Sequence, residues 1–223
     1  MKKLLRGIVD FRKNTRLSCK DTFAQLALGQ EPDTLFIACS DSRVVPNLFA
    51  SSDPGDLFVV RNVGNLVPAC GDEDHSASDE SEAAAIEFAL SSLPVTDIVI
   101  CGHSECGAME ALVHGRKLVE PSNLRSWLRH GEKSLEQLDS GRNLGTPRQE
   151  PHNLLSQLNV LAQIEHLKTY PLVLKRLNEG TLRLHGWWFD IQEADVYEYD
   201  SSEDKFHLID EEYAGVLLGR LDS

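Results

Sequence analysis

Short apolar runs alternating with helical stretches predict an α/β domain, its central sheet mostly parallel and flanked by helices. Two runs carry the argument, Leu35-Phe36-Ile37-Ala38 and Ile98-Val99-Ile100-Cys101. Each is apolar without alternation and bounded by polar residues, as strands buried on both faces are. What leaves these runs is the third observation. Cys39-Ser40-Asp41-Ser42-Arg43 follows the first and His103-Ser104-Glu105-Cys106 follows the second. Both segments then stand at the carboxyl ends of strands, where open α/β sheets place their ligands.

The chain has 223 residues, a length suited to a single domain spanning 1–223. No internal repeat interrupts it. Its 22 basic and 35 acidic residues leave a formal charge of −13. No basic stripe is present, which argues against a nucleic-acid or anionic-membrane partner. The 5 cysteines make an odd number, which speaks against a disulfide framework and for a reducing compartment. Met1 to Leu5 briefly resembles a signal peptide, but Arg6, Asp10, Arg12 and Lys13 break any apolar core. No run approaches the ~20 apolar residues of a membrane span. The expected location is the cytoplasm.

In chain order, Leu4, Leu5, Ile8 and Val9 recur at helical spacing and predict an amphipathic arm that packs on a neighbouring subunit. Asp21 to Leu28 reads as a second helix, with Asp21 as N-cap and Gly29 as its stop. Strand Thr34 to Cys39 follows, then a short helix at Pro46 to Ala50 and a turn at Asp53-Pro54-Gly55-Asp56. Leu57 to Val60 is the next strand. Gly71 to Glu80 is acidic and lacks an apolar period, so it reads as a solvated loop. A second metal site there, from His75 with Asp72, Asp74 or Asp79, is the remote alternative. Glu82 to Leu93 is an alanine-rich helix ended by Pro94, and strand Asp97 to Cys101 delivers His103. Cys106 opens a helix to Val113. Asn123 to Leu138 and Asn153 to Leu167 are helical stretches joined by a Gly/Pro-rich linker, Gly141 to Pro151; Trp127 and Leu128 read as core. Tyr170 to Asn178 is one more helix. Thr181 to Asp190 and Ala194 to Tyr199 form a hairpin, and Glu211 to Leu221 is the last helix.

Cys39, His103 and Cys106 converge if the two strands are neighbours. Two thiolates and an imidazole, with Asp41 or water as a fourth partner, make a tetrahedral zinc set. Asp41 is the ambiguous member. If Arg43, two residues on, takes its carboxylate in a fork, water keeps the fourth position; if Asp41 ligates, the site is closed. Two anionic sulfurs make zinc a weaker Lewis acid, so the water's pKa should lie above the ~7 of a three-histidine site. Ordinary buried thiols and a loop histidine are the plain alternative. A thiol phosphatase loop is disfavoured by the short Cys39-to-Arg43 spacing and the scarcity of glycine. A zinc-stabilised, non-catalytic interaction domain would leave Arg43 without a role.

Together the Cys-x-Asp-x-Arg and His-x-x-Cys motifs resemble those of the beta-class carbonic anhydrases. Gly29-Gln30-Glu31-Pro32, Asp53 to Phe58, Arg61-Asn62-Val63-Gly64-Asn65, Ala84 to Phe88 and His185-Gly186-Trp187 are similar to family segments as well. The resemblance implies reversible hydration of carbon dioxide to bicarbonate and a proton, by attack of a zinc hydroxide that the Asp41–Arg43 pair orients. It implies Cys39, His103 and Cys106 as zinc ligands, with Asp41 a ligand only in a closed form. Gln30, Phe58, Val63 and Phe88 are implied as substrate-pocket residues, some contributed across a homodimer interface. Hydrolysis of carbon disulfide or carbonyl sulfide on the same fold is the alternative activity. Some relatives bind bicarbonate at a Trp–Arg–Tyr set that stabilises the closed site; the matching positions here are Phe36, Arg61 and Phe189. Losing the two polar groups predicts an open site with Asp41 on Arg43.

Overall fold

The computed structural model describes residues 1–71 and 80–221. His75 and its candidate acidic partners lie outside the described residues. Six strands form one sheet in the order β2-β1-β3-β4-β5-β6. They are β1 (Thr34–Cys39), β2 (Leu57–Asn62), β3 (Asp97–His103), β4 (Arg183–Asp190), β5 (Asp195–Asp200) and β6 (Lys205–Leu208). Pairing is parallel from β2 through β4 and antiparallel beyond, so the sheet is mixed in the way the sequence predicts. The β4–β5 hairpin is the expected one. The β6 strand is not anticipated: it is 4 residues long and only Phe206 in it is buried, too little pattern to read locally.

The register sets the site. Because β1 and β3 are neighbours, with Ala38 opposite Cys101, the segments that leave their carboxyl ends emerge side by side. Their near-continuous burial is the two-faced burial that the unalternating apolar runs imply.

Ten helices lie among the described residues: α1 (Lys2–Asp10), α2 (Arg16–Leu26), α3 (Pro46–Phe49), α4 (Glu80–Ser92), α5 (Gly107–His114), α6 (Ser122–Trp127), α7 (Glu132–Leu135), α8 (Pro151–Leu167), α9 (Pro171–Asn178) and α10 (Glu211–Leu221). On one face Leu35, Ile37, Ile98, Ile100 and Trp188 pack with Ile86 of α4, Leu158 and Val160 of α8 and Val173 of α9. Glycines let α8 come close. A Cβ on Gly102 would stand 2.8 Å from Val160 Cγ2, and one on Gly186 3.0 Å from its Cγ1. The opposite face gathers Phe36, Val99 and Phe189 with Phe49 of α3 and Trp187.

Two helix predictions are corrected. The first two helices are one run, α1 passing through a π-helical stretch, Phe11–Thr15, into α2. Asp21 lies inside α2 and caps nothing, because no glycine or proline between Ile8 and Leu28 breaks the helix. Asn123 to Leu138 is not continuous. It breaks into α6, a 3-10 turn at Leu128–Gly131, and α7. The break is the turn that ends at Gly131, which packs closely on α5: a Cβ there would stand 2.7 Å from Leu112 Cδ1. No helix among the described residues is long and apolar enough to cross a membrane.

Candidate metal centre

Cys39 ends β1, His103 ends β3, and Cys106 is the N-cap of α5, where the helix dipole favours a thiolate. All three are buried, and their ligand atoms lie within 4.8 Å of one another. Metal–sulfur and metal–nitrogen bonds of ~2.3 and ~2.0 Å in a tetrahedron put ligand atoms ~3.5–3.8 Å apart, so the cluster is near the size a zinc ion requires. His103 supplies the sharper test. Its Nδ1 lies 2.8 Å from the Ser104 carbonyl oxygen, a contact that requires Nδ1 to carry the proton. Nε2 is then a bare lone pair, buried and without a hydrogen-bond partner among the described residues. Such an atom is costly unless something binds it, and a metal does.

Proximity to Cys106 pulls the Cys39 thiol down, and Cys39 in turn holds Cys106 well above the thiol range. The Gly64 amide also donates to Cys39 Sγ at 3.4 Å. Backbone strain is absent here because Gly64, at φ 86°, adopts this turn freely.

Asp41 is held by a fork. Arg43 Nε donates to Oδ1 at 3.0 Å and Nη2 to Oδ2 at 2.8 Å, and the Arg43 amide adds a bond to Oδ1 at 2.9 Å. These hydrogen bonds keep the Asp41 carboxyl well below the usual carboxylate range. Arg61 braces the same loop from β2, donating to the carbonyl oxygens of Cys39 (2.9 Å) and Asp41 (2.6 Å). Phe36 and Phe189, the positions flanking Arg61 in the anion-pocket comparison, are both met by Phe49, whose ring centroid is 6.1 Å from the first and 4.7 Å from the second.

A cleft of ≈ 320 Å³ opens beside the cluster, lined by Cys39, Asp41, Val63, Ala108, Ala111 and Leu128 among others. Leu128 is buried as the sequence predicts, and the half-buried Trp127 does more than pack: its Nε1 donates to the Val63 carbonyl at 2.7 Å. Val63 lines the cleft. Phe58 and Phe88 stand apart from it, packed on each other with 5.8 Å between ring centroids, and Phe88 is 45% exposed. Gln30 is exposed in the loop after α2.

Sequence reasoning missed the support beneath these loops. Along α8 a line of buried polar residues faces the site. Ser156 Oγ donates to the His103 carbonyl at 2.8 Å and accepts from its amide at 3.2 Å. Asn159 donates to the Gly64 carbonyl at 3.1 Å, and Gln163 accepts from the Val67 amide at 2.8 Å. Asn153 grips Glu105. The signal was the spacing of these residues at three and four along an otherwise apolar helix.

The family model for carbonic anhydrase matches residues 34–196, the span that carries both motifs. A carbonic anhydrase of Synechocystis sp. is 42% identical over 205 residues, 90% of this chain and 71% of that protein. The chain belongs to the beta-class carbonic anhydrases. A carbonic anhydrase of Pseudomonas aeruginosa is 37% identical over 206 residues, 92% of this chain and 90% of its own. The structure of the beta-carbonic anhydrase CcaA matches with a TM-score of 0.85 at 39% identity, over 95% of this chain and 92% of that one. Tetrameric beta-carbonic anhydrases from the ascomycete Sordaria macrospora match with a TM-score of 0.74 at 31% identity, over 88% and 95%. As a carbonic anhydrase this chain is an enzyme of carbon dioxide hydration, and the non-catalytic reading is set aside. Its Cys-His-Cys cluster is the group fitted to hold the metal of this metalloenzyme family.

Proposed function

We propose that this carbonic anhydrase works with zinc held by Cys39, His103 and Cys106. The observation that carries the reading is the buried His103 Nε2, unpartnered and facing two buried thiols. Zinc held there would activate a water toward attack on a small electrophilic carbon.

The chain's own residues do the rest. Asp41 is ionised and acceptor-only while Arg43 holds it, so it takes a hydrogen bond from the nucleophile and fixes its orientation. While Arg43 holds it, the Asp41 carboxylate would not be free to act as a further metal ligand. Val63, Ala108, Ala111 and Leu128 offer carbon dioxide an apolar wall and exclude competing water. Gln30, Phe58 and Phe88 complete the pocket when a second subunit brings them to it: Gln30 donates to a substrate oxygen, and the two rings extend the wall. A homodimer, or an assembly of dimers, is the active unit. Phe88 supports only apolar contact, having no hydroxyl for proton transfer. The proton leaves to buffer.

The deciding experiment is a carbon dioxide hydration assay on purified protein with zinc counted per chain. Near-stoichiometric zinc and hydration lost on chelation are expected. Carbon disulfide and carbonyl sulfide serve as competing substrates; faster turnover of either would replace carbon dioxide as the substrate. Full hydration in the metal-free protein would overturn the site.

A further inference from the structure

Asn153 stands in the first turn of α8 and is fully buried. Its Oδ1 accepts from the Glu105 amide at 2.7 Å, and its Nδ2 donates to Glu105 Oε1 and to Glu150 Oε2, both at 3.0 Å. Two of these three bonds serve one strained residue. Glu105 lies between His103 and Cys106 with φ at 55°, the left-handed region that a glutamate rarely adopts. In that conformation its carbonyl oxygen accepts from Arg43 Nη2 at 3.0 Å. The same nitrogen donates to Asp41 Oδ2 at 2.8 Å. Asn153, Glu105, Arg43 and Asp41 thus form one chain of contacts from the helix to the site.

We infer that Asn153 is a positioning residue for the reaction: by locking Glu105 in its left-handed turn it aims the Glu105 carbonyl at Arg43, and so holds the Arg43 fork on Asp41. The inference rests on the role given above to the Asp41–Arg43 pair. Glu105 touches no substrate in this scheme; its backbone is a strut. A buried amide that served stability alone would act equally whether or not Arg43 were present.

That difference is measurable with Asn153→Ala, Arg43→Ala and the double variant. Turnover, zinc content, exchange of the Glu105 amide and thermal stability are read in each. Asn153→Ala should keep its zinc, speed Glu105 amide exchange and cut turnover about 10- to 100-fold, the range seen when residues supporting a metal site are removed. With Arg43 already absent, Asn153→Ala should still speed exchange and lower stability but cost no further turnover. Asn153→Ser keeps a neutral hydroxyl that can donate or accept and adds no charge beside the Glu105 and Glu150 carboxylates. It should fold where the alanine variant does not, and show a smaller loss, again only with Arg43 present. Equal fold-losses in the two backgrounds, or wild-type turnover in Asn153→Ala, would overturn the inference. Full turnover in Arg43→Ala alone would sink the proposed pair as well; a loss there to which Asn153→Ala merely adds sinks the inference by itself.

Discussion

A single lone pair, His103 Nε2, says most about the centre, because a buried acceptor without a donor is tolerated only where a ligand satisfies it. Removing any of the three side chains around it should empty the site. Cys39→Ser, His103→Ala and Cys106→Ser are each expected to lose most bound zinc, counted by metal analysis of protein purified without added metal. Full zinc in Cys106→Ser would contradict the assignment. A second residue, His185, is held between carboxylates. Its ring nitrogens lie 2.9 Å from Glu198 Oε1 and 2.8 Å from Asp97 Oδ1. Burial alone would lower its pKa, but these two hydrogen bonds outweigh it and raise His185 to about 9. A raised folded-state pKa adds stability that is complete below the unfolded value of about 6.5 and is lost as pH climbs through about 9. Thermal melts should therefore show stability falling by up to about 3 kcal/mol across that window from this group. His185→Gln should flatten the slope, and an unchanged slope would remove His185 as its source.

Among the elements, α8 both packs on the sheet and holds the site loops. Val160 packs into the space left by Gly102 and Gly186, while Asn153, Ser156, Asn159 and Gln163 hydrogen-bond the loops that carry the site. Polar residues at full burial are favourable only when satisfied, so these positions specify one docking of the helix. Gly102→Ala tests how tightly. Its Cβ would meet Val160 Cγ2 at 2.8 Å and the Ser156 carbonyl at 3.1 Å. The variant should be less stable by ~1–3 kcal/mol in denaturant unfolding, the cost of forcing a carbon into a packed core. Val160→Ala should recover part of it by clearing the nearer contact; no recovery would point to the backbone contact instead.

For the whole molecule, the unpartnered surface matters most. Leu4, Leu5, Ile8 and Val9 of α1 are each more than half exposed, on an element with no buried residue. A row of that kind is stable in water when another surface covers it. Leu5→Glu with Ile8→Glu should reduce the sedimenting mass and, if the pocket is completed across subunits, the activity with it. A fully active monomer would contradict the proposed assembly. The aromatic packing of Phe36, Phe49 and Phe189 bears on regulation. Arg61 is engaged with two backbone carbonyls, and the positions where some relatives carry tryptophan and tyrosine hold phenylalanine rings without polar hydrogens. Bicarbonate should therefore inhibit only as product, without cooperativity, and activity should rise with pH as a single-proton titration. A steep, multi-proton profile would show that a closed site exists after all.

The α/β class, the β1 and β3 strands and the Cys39–Arg43 and His103–Cys106 segments were legible in the sequence. Each depends on a local signal: an unalternating apolar run for a strand buried on both faces, and ligand types at close spacing. The β4–β5 hairpin was legible for the same reason. The tertiary structure alone decided what depends on distant neighbours. Whether Asp41 meets Arg43 is a question of loop geometry, and the fork at 3.0 and 2.8 Å answers it. The interruption of the Asn123–Leu138 stretch accompanies the close packing of Gly131 on α5, 19 residues away in number from Leu112. The left-handed turn at Glu105 is paid for by an asparagine 48 positions later in the chain. No window of sequence contains both partners, so a strained residue and its clamp become visible only when folding sets them side by side.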